Sequence, residues 1–182
     1  PMCFTKIEAI NHDNIICLRT SKLNNKNLKG GNIFKSIILQ EFHLPVTYIF
    51  RKKIFKTVGY YRDDIITEDY LMNLRISSKY KIGYIPEKLY YYRIGSLASK
   101  NKKPSDYSYE VSQSHLKCIL EHENSKYFKR AIEFWNYRNF KYLAPYSKYK
   151  SHAFKSLPFL IKWILDLRFW KSFIKLIIYW KN

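Results

Sequence analysis

Between Pro45 and Arg93 the chain alternates strand and helix signals with little room between them, and this order constrains the fold more than any other feature. Pro45 precedes a β-branched and aromatic run, Val46-Thr47-Tyr48-Ile49-Phe50, which predicts a strand with its proline at the start, where a missing N–H does least harm. Ile54 to Val58 reads as a short helix, and Gly59 suits its end because glycine accepts a left-handed backbone cheaply. Thr67 is a suitable N-cap for a helix running to about Tyr80. Glu68 and Asp69 then fall in the first turn, where the helix dipole favours anions. Ile82 to Ile85 and Lys88 to Arg93 predict strands on either side of Pro86. Strands and helices in alternation point to an α/β fold with a mixed sheet and flanking helices.

Outside this region the signals are weaker. Residues 2–11 read as a short helix, and Asn14 to Leu18 as a buried strand. Ser21 to Asn32 is polar and carries Gly30-Gly31, so it predicts a loop. Ile33 to Phe42 has apolar residues at helical spacing. Asn101 to Ser105 reads as an exposed connector, and from Tyr107 onwards the chain looks helical, with a break near Pro145. No internal repeat is visible. The chain opens Pro1-Met2-Cys3-Phe4 with an element already under way, so the expectation is a sequence that begins within a longer protein.

A chain of 182 residues, 47% of them hydrophobic, can bury a sizeable core and is not disordered in composition. Cys3, Cys17 and Cys118 are odd in number and far apart, which argues for reduced thiols over a disulfide framework or a zinc site. His12, His43, His115, His122 and His152 form no metal-ligand pattern. No charge-free apolar run approaches the ~20 residues of a membrane span, and no phosphate-cradling glycine-rich loop is present.

Charge is the other strong signal. The formal net charge is +19, and after Ser125 thirteen Lys or Arg face only Glu133 and Asp166. Such a block predicts an anionic partner: nucleic acid, an anionic lipid surface or a phosphorylated substrate. A general lysine bias, seen also in the Asn, Ile and Tyr content, is the plainer explanation. From Arg168 the positions Arg168, Lys171, Ser172 and Lys175 make a polar stripe on an otherwise apolar helix. Lys155, Lys162 and Asp166 fall on another face, so a kink or two helices are expected near residue 167. A helix this rich in Lys, Trp and Phe suits a membrane interface; the alternative is a helix packed on the domain with its lysines outward.

The ordered set from residue 45 to 100 carries a resemblance. Phe50-Arg51-Lys52-Lys53-Ile54-Phe55, Val58-Gly59-Tyr60-Tyr61-Arg62-Asp63-Asp64, Thr67-Glu68-Asp69-Tyr70, Tyr84-Ile85-Pro86-Glu87 and Tyr90-Tyr91-Tyr92-Arg93 occur in the order seen in the acceptor half of family 2 glycosyltransferases. Those are nucleotide-sugar-dependent enzymes with a GT-A (Rossmann-like) fold. The resemblance implies that Asp69 is the catalytic base, that Glu68 binds the acceptor, and that Arg93 and Ser96 lie near the diphosphate. It implies a partial GT-A domain over residues 1–103; charge and helical spacing give 104–182 as a basic, aromatic helical tail. The resemblance also implies a divalent metal, Mn or Mg, held mostly by residues outside this chain, with a nucleotide-sugar donor and a glycan or lipid-linked acceptor as partners. The expected location is cytoplasmic, peripheral at the inner face of the plasma membrane, on an anionic lipid surface. Alone, the chain is expected to be inactive.

Two features depart from that pattern or are easily misread. Where many members of the family carry a histidine after the arginine, Ile94-Gly95 stand here, which removes a metal ligand from the segment. Asp63-Asp64 looks like a metal-binding doublet, but its place after Gly59 matches a variable acidic turn. Taken alone, Glu68 and Asp69 are ordinary first-turn carboxylates. The rival to an enzyme is a basic nucleic-acid-binding module, supported by Lys/Tyr/Trp interleaving but disfavoured because no recognised motif accompanies the charge.

Overall fold

The computed structural model describes residues 2–20, 26, 28–41, 43–94, 103–160 and 163–178. It is mixed α/β and divides into two compact units, Pro1–Asp64 with Glu68–Asn101 and Ile65–Thr67 with Lys102–Asn182.

The first unit is built on β1 (Met2–Ile10), the central strand of a three-stranded sheet. β2 (Ile49–Phe50) pairs with it antiparallel and β3 (Gly83–Arg93) parallel. Along the crossover lie α1 (Phe34–Ile38), a 3-10 turn at Lys52–Ile54, α2 (Phe55–Val58) and α3 (Glu68–Ser77). Met2–Ile10 is therefore strand, against the helix expected over residues 2–11. Phe4 and Thr5 are both buried, so the strand's in–out alternation changes phase there. Apolar residues then recur at 4, 7 and 10, a spacing that imitates a helical stripe.

Asn14 to Leu18 does not form the expected buried strand: Ile15, Ile16 and Leu18 are exposed, and a single bridge joins Ile16 to Ile10. The Asn11 side-chain oxygen accepts the N–H groups of Asp13 and Ile15 at 2.9 and 2.8 Å, folding the chain into a turn. Helix α1 is shorter than the spacing suggests because the chain turns left-handed at Gln40, φ 51°; Phe42 lies outside the described residues. In the polar loop before it, Gly31 exchanges backbone hydrogen bonds with Ile82 at 2.7 and 3.0 Å. A Cβ on Gly30 would stand 2.8 Å from the Ile82 carbonyl oxygen, so only glycine allows that approach.

The strand expected over Val46 to Phe50 is reduced to its last two residues, for a visible reason. The buried Thr47 hydroxyl accepts the Thr5 N–H and donates to the Thr5 carbonyl, both at 3.0 Å. One side chain thus takes the place of a ladder pair. The two strands expected around Pro86 are one, since β1 pairs Thr5 with Ile85 and then Lys6 with Lys88, leaving Pro86 and Glu87 out of the ladder.

The second unit is helical: α4 (Pro104–Leu120), α5 (Phe128–Leu143), α6 (Lys150–Ser156) and α7 (Leu167–Ile178). Pro104 sits in the first turn of α4, where it lacks nothing the helix needs, so the expected connector ends before Ser105. The break after Leu143 falls at Pro145 and a 3-10 turn, Ser147–Tyr149. Tyr137, Phe140 and Leu143 of α5 form a core with Ala153, Phe169 and Leu176. Inside it Asn139 accepts from the Ser112 hydroxyl at 2.7 Å and donates to the Ser156 hydroxyl at 3.0 Å, joining α4, α5 and α6. Among the described residues no helix is long and apolar enough to cross a membrane.

Thr47→Val is expected to lower stability by about 1–3 kcal/mol, the penalty of stranding a buried donor and acceptor, while Thr47→Ser retains most of it; urea unfolding of both variants checks this. Asp106 offers a pH test. Its carboxylate takes the Lys148 ammonium at 2.9 Å and the Tyr149 hydroxyl at 2.7 Å, and these two bonds, Lys148 first, hold its carboxyl below the usual range. A carboxyl with a depressed folded-state pKa stabilises above its unfolded value and loses that effect as pH falls through the folded one. Asp106→Asn should therefore lower the melting temperature at pH 7 by more than at pH 3.

Candidate functional site

The first turn of α3 carries Glu68, exposed, and Asp69, half-buried. Asp69 accepts the Tyr70 N–H at 2.7 Å, so one carboxylate oxygen is fixed against a backbone donor that the helix itself leaves free. Tyr70 anchors the turn from the other side. Its buried hydroxyl lies 3.4 and 3.5 Å from the carbonyls of Ile37 and Ile38 at the end of α1, and Gln40 donates to it at 3.4 Å. Thr67, the expected cap, has a side-chain bond to Ser114 of the helix Pro104–Leu120. It belongs to the second unit, where its hydroxyl is 2.7 Å from that of Ser114 and its N–H donates to the same oxygen at 3.1 Å.

Beside the carboxylates stands Tyr48, on the approach to β2. Its phenol pKa is pushed well up, first by burial, then by Tyr61, and further by the charges of Asp69 and Glu68. Tyr48 therefore stays protonated, a neutral hydroxyl next to two carboxylates. From it a run of rings leads outward. Tyr48 stacks on Phe50 at 5.9 Å, Phe50 meets Phe55 edge-on at 5.4 Å, and Phe55 stacks on Tyr60 at 5.1 Å with the planes 6° apart. Tyr61 meets Phe55 at 5.9 Å. Tyr60 is 70% exposed, so one ring is backed by Phe55 and still open to solvent.

Gly59 makes this turn possible. It ends α2 with φ 82° and ψ 175°, a region that side chains other than glycine's adopt only under strain. Arg75 then donates to the Tyr60 carbonyl at 2.9 Å, tying the aromatic turn to α3, one and a half helical turns after Asp69. A cleft of about 560 Å³ lined by Arg51, Lys53, Ile54, Thr57 and Tyr80 opens beside α2.

The other predicted site residues lie elsewhere. Arg93 ends β3 and donates to the carbonyls of Asn11 and His12 at 2.8 and 3.3 Å and to the Asn14 side chain at 2.7 Å. It clamps the turn after β1, and among the described residues its hydrogen bonds go to Asn11, His12 and Asn14, not to Glu68 or Asp69. Ser96 lies outside the described residues. Asp64 is gripped by Arg62 through two bonds of 2.9 and 2.8 Å, and among the described residues no group of three or more His, Cys, Asp or Glu is placed to hold a metal. The structure thus brings Glu68 and Asp69 together with Tyr48 and Tyr61, and leaves Arg93 apart. The tyrosines were visible in the sequence as composition, but nothing in their spacing ties residue 48 to residue 69.

Compared with models of known families, with curated proteins and with solved structures, the chain matches none.

Gly59→Ala should lower stability by about 1–3 kcal/mol because the backbone there lies in a region reserved for glycine. The added Cβ would also stand 3.3 Å from the Arg75 guanidinium. Thermal unfolding measures the loss, and Tyr60 and Tyr61 should become more accessible to quenchers.

Proposed function

We propose that the first unit is the acceptor-side part of an inverting, nucleotide-sugar-dependent glycosyltransferase of GT-A type, working with a donor-binding part outside this sequence. The observation that carries the reading is a half-buried carboxylate, Asp69, fixed at a helix start beside the neutral hydroxyl of Tyr48 and an open aromatic strip. The exposed face of Tyr60 suits the C–H face of a sugar ring, and Glu68, exposed one residue before Asp69, suits its hydroxyl groups.

In this reading Asp69 takes the proton from an acceptor hydroxyl as that oxygen attacks the anomeric carbon of the donor. The bond from that carbon to the diphosphate breaks in the same displacement, and the configuration inverts. Tyr48, held neutral, keeps a donor available beside the carboxylate and orients it. Arg93, committed to the 11–14 turn, contributes by holding the end of β3 and not by touching diphosphate. A divalent ion, Mn or Mg, would be held mostly by residues outside this sequence, since among the described residues no group of three or more His, Cys, Asp or Glu is placed to hold one and Asp64 is bound by Arg62. The acceptor is a glycan or a lipid-linked saccharide, and the location is the cytoplasmic face of the plasma membrane, peripherally held.

The test begins at the gene. The reading frame is extended upstream of the Pro1 codon, the longer protein is expressed, and nucleoside diphosphate release is measured from a panel of nucleotide-sugars with saccharide acceptors. Release should occur, and Asp69→Asn should slow it by about 10²–10⁴-fold, the usual contribution of a general base, with the circular dichroism unchanged. Wild-type turnover in Asp69→Asn, or no release with any donor, would sink the reading.

A further inference from the structure

The tail helix α7 divides into three sectors at 100° per residue. Phe169, Ser172 and Leu176 are buried, with Phe173 half-buried beside them, and Phe169 stacks on Phe140 of α5 at 5.5 Å. Ser172 therefore faces the core and does not join the polar stripe expected of it. Lys171 and Lys175 occupy a second, exposed sector, and among the described residues neither has a carboxylate partner. The third sector holds Leu167, Trp170, Ile174, Ile177 and Ile178, of which Leu167 is 78% and Ile178 60% exposed. The positions step by three, four, three and one, so they form one continuous arc. A helix that has already docked its core face thus keeps a second apolar face in water, flanked along its length by lysines.

Two further observations bear on what covers that face. The Trp170 indole N–H donates to the Ile164 carbonyl at 2.7 Å, which satisfies its polar atom and leaves the ring in the arc. Leu165, in the turn just before α7, is 96% exposed. The segment that carries α7 is strongly basic: after Ser125, thirteen cations face two acids. A protein partner would have to match a basic edge and an aliphatic arc separately. An anionic bilayer supplies both at once, acyl chains for the arc and headgroups for the lysines. We propose that α7 lies in the interface of an anionic membrane, its Leu167–Ile178 arc towards the acyl chains and Lys171 and Lys175 at headgroup level. The proposal goes beyond the glycosyltransferase reading and stands on the second unit alone.

The full chain is sedimented with vesicles of phosphatidylcholine, with and without about one-third phosphatidylglycerol, and brominated acyl chains report contact through tryptophan quenching. Partitioning should be at least tenfold stronger on the anionic vesicles, fall in high salt, and be accompanied by quenching. Ile174→Asn with Ile177→Asn should lose at least tenfold while keeping the wild-type melting temperature, because neither side chain is in the core. Lys171→Gln with Lys175→Gln should erase the preference for anionic lipid. No quenching of the wild-type chain, or equal sedimentation of the isoleucine variant, overturns the proposal. So does a wild-type dimer that the isoleucine variant turns monomeric without any vesicle binding, which would make the arc a protein contact. Single-stranded DNA binding that leaves vesicle binding absent would overturn it in favour of nucleic acid. No turnover enters these readouts, so a failure here and a failure of the catalytic reading are separate results.

Discussion

Parallel pairing of Met2–Ile10 with Gly83–Arg93 is the constraint on which the first unit depends. Parallel neighbours cannot be joined by a hairpin, so the whole chain between them must act as a crossover. That crossover has to place β2 on the free edge of β1, then return along α3 to deliver the chain to Gly83. Glu68 and Asp69 sit where α3 begins that return, and the Tyr70 hydroxyl at the end of α1 fixes the point. The position of the carboxylates is therefore a consequence of sheet topology before it is a matter of chemistry. The Thr47 hydroxyl closes the other side of β1 with two bonds to Thr5, leading the chain through Tyr48 into the aromatic strip.

β3 is the odd member of this arrangement. β1 is buried along most of its length, whereas β3 is exposed from Glu87 to Arg93, with Leu89 and Tyr91 above 60%. Its outer edge holds no strand among the described residues, and its side chains point alternately to two open faces. A long, aromatic edge of this kind is a template for further pairing unless something covers it. The Lys88–Glu8 ion pair, at 2.6 Å, protects only one position.

The sequence made some of this legible and hid the rest, and the division has physical causes. Helices α3, α5 and α7, the stop at Gly59 and the break at Pro145 follow from local signals: periodicity, a positive φ, a missing N–H. The change of face near residue 167 was readable from angles alone, and the chain does separate there. What local signals could not give was β1, because its phase change at Phe4 and Thr5 disguises a strand as a helix. Nor could they give the truncation of the strand before β2, which depends on a side chain forty-two residues from its partner. Of the candidate site, Asp69 and Glu68 stand out in the sequence by their place at a helix start, while Tyr48 comes beside them only through folding. Arg93 was misleading for the opposite reason: an arginine ending an aromatic strand looks free in sequence, yet folding gives it three oxygen partners.

Both units satisfy buried polar groups through side chains, Thr47 with Thr5 in the first and Asn139 with two serines in the second, and this bears on how each would tolerate change. In the second unit Asn139 gathers Ser112 and Ser156 into a closed buried network between three helices, and such a network fixes helix register because every member must be satisfied at once. In the first unit, one turn beyond Asp69 on α3, the buried Asn73 side-chain oxygen has no partner among the described residues. An unsatisfied buried acceptor weakens a core by roughly 1–3 kcal/mol relative to a well-packed apolar group. The return limb α3, which the parallel pairing of β1 and β3 requires, therefore carries both the half-buried Asp69 carboxylate and this buried acceptor.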